Sequence, residues 1–197
     1  MNTTTMDSQT LLIAAVAVLV VIAIAGWLWS RRQQSRRLEE RFGPEYGHAV
    51  ETLGDRGKAE AELRQREKRV DKLEITPLAP ADADRFSQAW KTLQGRFVDN
   101  PKGALAEADQ LVRELMLKRG YPMGDFDRRA ADISVHHPTV VDHYRAAQAI
   151  TLRDRRGEAD TEDMRKAVVH YRALFDELLE VREPERANAK EHMEVHS

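Results

Sequence analysis

The pattern of apolar and polar positions divides the chain into two unlike parts. Residues 11–29, LLIAAVAVLVVIAIAGWLW, are an unbroken apolar run with no charge. Beyond Arg31 the apolar residues recur only at helical spacing, set among charges. A run of about 17–25 apolar residues is long enough to cross the hydrocarbon core as a helix. A helix is needed there because lipid offers no partner to backbone N–H and C=O groups. Trp27 and Trp29 close the run, where indole rings favour the headgroup layer. The run therefore predicts a transmembrane helix over 11–29, preceded by a short tail of residues 1–10. A cleaved signal peptide is the other possibility. It would begin with a positive region, and MNTTTMDSQT has no Lys or Arg.

After the span the pattern predicts helices only. Residues 30–41, SRRQQSRRLEER, continue in good helix formers, and Gly43-Pro44 punctuates them. Tyr46, Val50 and Leu53 make a short stripe. Residues 58–75 read as a highly charged helix with few apolar anchors (Leu63, Val70, Leu73), the mark of a solvent-exposed arm or one member of a helix pair. Residues 30–75 are expected to be a charged juxtamembrane helical stalk. Pro77 and Pro80 end it, since proline interrupts a helix and pushes its predecessor towards extended geometry.

The compact part is expected over 80–182. A helix beginning near Asp82 carries Phe86, Ala89, Trp90, Leu93 and Phe97 at i, i+3, i+4, i+7 and i+11, the strongest amphipathic pattern in the chain. Phe86, Trp90 and Phe97 are its expected core. Asn100-Pro101 opens the next helix, with Leu105, Ala108, Leu111, Val112, Leu115 and Met116 on one face and Gly120 as its left-handed stop. A short helix follows from about Asp125 to Ile133. The next buries Val140, Val141, Tyr144, Ala147 and Ile150 and ends at Gly157. The last carries Met164, Val168, Tyr171, Leu174, Phe175, Leu178 and Leu179. Residues 183–197 read as a polar, disordered tail. No alternating run is long enough for a strand, so the fold class is all-α: one transmembrane helix, a stalk and a compact helical bundle with short connections.

Charge sets the orientation. Arg31, Arg32, Arg36, Arg37 and Arg41 follow the span and nothing basic precedes it. Basic flanks stay on the cytoplasmic side, which predicts the N-terminus outside and the soluble domain in the cytoplasm. Trp27, Trp29, Arg31 and Arg32 are the expected interface residues. Such arginines can also attract anionic headgroups, but the simpler reading, and the one expected here, is that they are only topology determinants. Over the 197 residues the 32% of charged side chains nearly cancel, leaving net −2. That balance gives no electrostatic case for nucleic acid as a partner. With no cysteine, the chain has no disulfide, thiol nucleophile or Cys-ligated metal.

The runs RFGPEYGHAVETLGDRGKAEAEL, RFVDNPKGALAEADQLV, RGYPMGDFDRRAADISVHHPTVVDHYRAAQAI and MRKAVVHYRALFDELLE resemble a family of bacterial hypothetical proteins, labelled as single-span membrane or sometimes secreted proteins. The likeness covers roughly residues 41–180. It implies architecture and a bacterial inner-membrane location. It carries over no catalytic residue.

Candidate chemistry is sparse. In HHPTVVDH, His136, His137, Asp142 and His143 cluster in sequence, with His170 a possible neighbour. A metal-dependent hydrolase built around Pro138 would need His137 and His143 in one pocket. Zinc-binding histidines commonly sit at i, i+4 on a helix, and six residues separate these two, so helix capping is the simpler reading. The acidic residues Asp125, Asp127, Asp132, Glu158, Asp160, Glu162 and Asp163 flank helix starts, where the dipole favours them. No phosphate loop, nucleophile elbow or H-E-x-x-H is present. No catalytic, cofactor-binding or metal-binding residue is assigned, and no cofactor is expected. Tyr121 and Phe126, in the loop YPMGDF, are the candidate interaction residues, because loops carry function more often than cores do. The expected activity is non-catalytic: an interaction module held at the bilayer and contacting another protein.

Overall fold

The structure is a computed structural model that describes residues 8–179, with side chains from residue 15 onward. The expected polar tail at 183–197, the last three bundle positions and the first seven residues lie outside that range. Among the described residues there are eight helices and no strand. They are α1 Ser8–Phe42, α2 Pro44–Leu53, α3 Arg56–Val70, α4 Pro80–Arg96, α5 Pro101–Arg119, α6 Phe126–Ile133, α7 Val141–Arg155 and α8 Thr161–Leu178.

α1 is long and apolar enough to cross a membrane. Every side chain from residue 15 to 34 is exposed, including the large apolar ones from Val16 to Trp29. The helix runs on without a break into the folded domain, where Leu38 and Phe42 are buried.

α4 to α8 make the bundle. α5 and α8 pack together at its centre, α4 covers α5, and α7 covers α8. The aromatic positions meet as their spacing predicts. Trp90 and Phe175 stack at 4.5 Å between ring centroids, and Phe86 is fully buried. Phe97 is only partly buried, at the edge of the core. Burial of such side chains, at about 25 cal/mol per Å², is the main stabilising term. One polar group is threaded through the core. The Tyr171 hydroxyl donates to Asp109 Oδ1 at 3.1 Å and lies 3.2 Å from Thr151 Oγ1. Burial and the Asp109 charge push the Tyr171 phenol far above its ordinary range.

Helix starts follow the expected chemistry. Asn100 accepts from the Gly103 N–H at 2.9 Å, Asp125 from Arg128 at 2.8 Å and Asp160 from Asp163 at 2.7 Å. The start of α4 differs from expectation. Pro80, not Asp82, opens it, because proline needs no N–H partner at the first helical position. Asp82 instead pairs with Lys118 across the α4–α5 contact at 3.0 Å.

The main difference lies at 30–75. The segment is not a free stalk. α2 and α3 fold back against the end of α1 and build a second core from Leu38, Phe42, Tyr46, Ala49, Ala59, Leu63 and Val70, which Val135 of the bundle completes. The sequence pattern understates this core because much of its closure is ionic. Glu45 of α2 is fully buried. It accepts from Arg66 Nη1 at 2.6 Å, and from Arg145 of α7 through both oxygens, at 2.6 and 2.8 Å. Arg69 adds a 2.7 Å contact to the buried Asp132 of α6. A helix that is polar all round buries one side here by pairing its charges.

Candidate functional site

Two regions gather the candidate side chains: the junction where α1 leaves its apolar stretch, and the loop end of the bundle that holds His136 and His137. At the junction Trp27 and Trp29 are 56% and 70% exposed. The Arg31 guanidinium lies over the Trp27 ring, 4.7 Å from its centroid. Arg32 projects freely beside it and is exposed.

At the bundle end, a cavity of about 730 Å³ opens between the 75–77 linker and the C-terminal ends of α5 and α8. His136, His137, Arg119, Asp176 and Glu177 supply its polar wall. His137 is buried, and its Nδ1 lies 3.2 Å from Glu177 Oε1. His136 Nδ1 lies 3.3 Å from the Tyr121 hydroxyl. Burial, then the neighbouring His137 and Arg41, lower the His136 pKa, so its ring is held neutral at neutral pH. Arg119 is buried and donates to the carbonyls of Thr76 and Leu178 at 3.3 and 3.1 Å. It ties the linker to the end of α8. A neutral imidazole beside a phenol can relay a proton, and His137 with Glu177 can orient a polar ligand.

The other two histidines of the bundle lie elsewhere. His143, on α7, faces His170 of α8, with their Nδ1 atoms 2.8 Å apart. Burial and the His143 charge lower the His170 pKa. His137 and His143 therefore belong to separate pairs and do not share a pocket. Helix α7 starts at Val141, and His143 falls on its exposed side while His137 turns inward before it. Among the described residues no three His, Asp or Glu side chains come together in a way that would hold a metal ion.

The aromatic loop is differently placed from a contact surface. Tyr121 is 1% exposed, wedged in the main core directly after the left-handed Gly120. Phe126 is half-buried, its ring 4.8 Å from that of Tyr144. Both close the end of the bundle; Met123, between them, is the exposed apolar residue of the loop.

Glu45, Arg66 and Arg145 were not singled out by sequence reasoning. One hundred residues separate Glu45 from Arg145, and no periodicity marks a charge for burial. The one available signal was Glu45 in the first turn after Pro44, which on its own reads as a dipole contact.

No family model, curated protein or solved structure matches this chain.

Proposed function

We propose that this chain is a single-span membrane protein of the bacterial inner membrane, with its N-terminus outside and its helical domain in the cytoplasm, acting as a non-catalytic module that contacts another protein. The observation that carries the reading is α1. Its apolar stretch packs on nothing among the described residues, yet the same helix ends inside a folded core. An exposed apolar surface of that extent is unfavourable in water and needs lipid to cover it. The five arginines that follow set the direction. Holding a domain at a surface raises its effective concentration towards neighbours, so modest affinities suffice.

The absence of cysteine makes the test clean. Val98 is 85% exposed on the folded domain. Val98→Cys in intact cells should resist a membrane-impermeant maleimide and react once the cells are opened. Labelling in intact cells would overturn the cytoplasmic placement. Release of the protein by alkaline carbonate would overturn the anchor itself. Photo-crosslinking from the same position in cells should trap a defined partner; its failure over the whole domain surface would remove the interaction role.

The alternative is a metal-dependent hydrolase around Pro138; the cavity beside His136 and His137 gives it a location, but no cluster of three ligands is present among the described residues. That reading must do without His143, which faces His170. Zinc titration of the purified protein checks it. Micromolar binding that is lost in His137→Ala would favour it over the module.

A further inference from the structure

The fold-back of α3 against α1 creates a feature that neither helix has alone. A cleft of about 480 Å³ lies between them, directly beyond the apolar stretch. α1 contributes Arg31, Arg32 and Arg36; α3 contributes Arg56 and Arg64. Glu39 and Glu60 are the acidic residues in its wall. Glu60 lies within the cleft and is already occupied there. It accepts from Ser35 at 2.6 Å and from Tyr46 at 3.0 Å, and it pairs with Arg56 at 3.1 Å and Arg64 at 3.9 Å, so the free charge of the cleft comes from the α1 arginines. Arg32 and Arg36 have no carboxylate partner among the described residues. The first turn of α3, at Gly57, also borders the cleft, which adds the positive end of that helix dipole.

We infer that this cleft binds the phosphate of an anionic phospholipid, one lipid seated against the anchor. The inference rests on the proposal that α1 spans the bilayer. Three observations select a lipid over a soluble phosphate compound. Leu28, from the apolar stretch, forms one end of the cleft, so a ligand there meets hydrocarbon on one side and arginine on the other. The rise of a helix is about 1.5 Å per residue, so Arg31 to Arg36 lie within roughly 5–12 Å of Leu28, the depth of the headgroup layer. Arg31 is steadied on the Trp27 ring, which fixes a charge at that level. Guanidinium groups give paired N–H donors that match phosphate oxygens, which makes Arg the suited residue. Arginines flanking a span attract anionic lipid in general. Here α3 turns a diffuse attraction into an open cleft with two arginine-bearing walls.

The test separates a site from a mere count of charges. The full chain is placed in lipid nanodiscs containing phosphatidylcholine with a minority of phosphatidylglycerol. Retained lipid is then measured by native mass spectrometry. Wild type should keep phosphatidylglycerol in preference to phosphatidylcholine. Arg56→Gln with Arg64→Gln, both remote from the span in sequence, should lower that retention by roughly tenfold. A single alanine inserted between Gln33 and Gln34 turns Arg31 and Arg32 by about 100° relative to α3 and changes no charge. The insertion precedes Ser35, which is bonded to Glu60 of α3, and leaves α1 unchanged from there into the second core; circular dichroism of both variants checks that the domain keeps its fold. The insertion should also abolish the preference. Equal retention in wild type and insertion variant would show diffuse attraction and overturn the site. Displacement of lipid by millimolar glycerophosphate would make it a soluble-phosphate site and overturn the lipid assignment. Failure of wild type to insert into the nanodisc would instead sink the anchor, a result read separately from lipid preference.

Discussion

Replacing Glu45 by Gln should cost this protein more than any other single loss of charge. The substitution keeps side-chain volume, so it opens no cavity. It leaves Arg66 and Arg145 facing a neutral amide, whose NH₂ offers them a donor where they need an acceptor. Removing one partner from a buried ion pair generally costs 3–5 kcal/mol, because the other charge stays buried without compensation. The geometry places this case at the low end. The Arg66 and Arg145 side chains retain 12% and 23% exposure. Each also keeps a second carboxylate, Glu62 at 3.2 Å and Asp142 at 3.1 Å. The expected loss is about 3 kcal/mol, or roughly a hundredfold in the folded-to-unfolded ratio. That is a large share of the 5–15 kcal/mol typical of a domain.

Location makes the prediction sharper than a stability number. Glu45 sits on α2 and Arg145 on α7, so the pair joins the second core to the bundle. Its loss should loosen α2 and α3 before it loosens α5 and α8. Hydrogen exchange of the full chain in detergent reads this directly. Amides of α2 and α3 should lose protection in Glu45→Gln, while those of α5 and α8 open only with global unfolding. Urea unfolding within 0.5 kcal/mol of wild type, with α2 and α3 still protected, would refute the reasoning. The triad would then behave as ordinary surface ion pairing.

Two further outcomes follow from the same geometry. Burial raises the Glu45 pKa, but the hydrogen bonds and charges of Arg145 and Arg66 outweigh it, and the net effect is a value below the ordinary 4.5. A carboxylate depressed in the folded state contributes stability above its unfolded pKa and loses it as pH falls through the folded value; wild type should therefore weaken steeply below about pH 4.5, and Glu45→Gln should show a flatter acid limb in pH-dependent melting. Gly120→Ala places a methyl group at φ 99°, against the Glu74 carbonyl oxygen, whereas Gly157→Ala at φ 74° meets open space; the first should cost about 2–3 kcal/mol and the second about 1–2 by thermal denaturation, and equal costs would refute the tight contact.

The all-α architecture was legible because each helix of the bundle announces itself twice. An apolar face at helical spacing gives its body, as in Met164, Val168, Tyr171, Leu174, Phe175 and Leu178. A capping side chain gives its start, as at Asn100 and Asp160. What periodicity cannot report is burial achieved by pairing. α3 carries only Ala59, Leu63 and Val70 as buried apolar residues, and the rest of its packing is polar, as in Arg66 on Glu45, Arg69 on Asp132 and Glu60 on Ser35 and Tyr46. Those partners lie on other helices, so the sequence of α3 alone looks solvated. The same limit hid the arginine cleft, since Arg56 and Arg64 follow the span by more than twenty residues and return to it only through the turns at Gly43 and Gly54. The histidines show the converse, and here the six-residue spacing had already argued against a shared face. His137 and His143 are close in sequence, but the turn ending in Val140 separates them onto different faces.

The fold-back changes what the anchor can transmit. A domain on a flexible linker samples many orientations above a bilayer. Here α1 passes from Trp29 to Leu38 as continuous helix, roughly 13 Å of rise with no glycine or proline to bend it. Leu38 and Phe42 then enter the second core, and Glu45, three residues further on, is ion-paired to α7. With α1 spanning the bilayer as proposed, its rotation or tilt would reach the bundle through packed side chains and one buried carboxylate. Weakening that carboxylate should uncouple the two without releasing either, so Glu45→Gln would remain membrane-bound while its bundle turns freely. Polarised fluorescence from a label at Val98→Cys in nanodiscs distinguishes the cases. Slow anisotropy decay, set by the disc, is expected in wild type, and a fast component is expected on the Glu45→Gln background. A fast component already present in wild type would mean that the continuous helix does not couple span to domain.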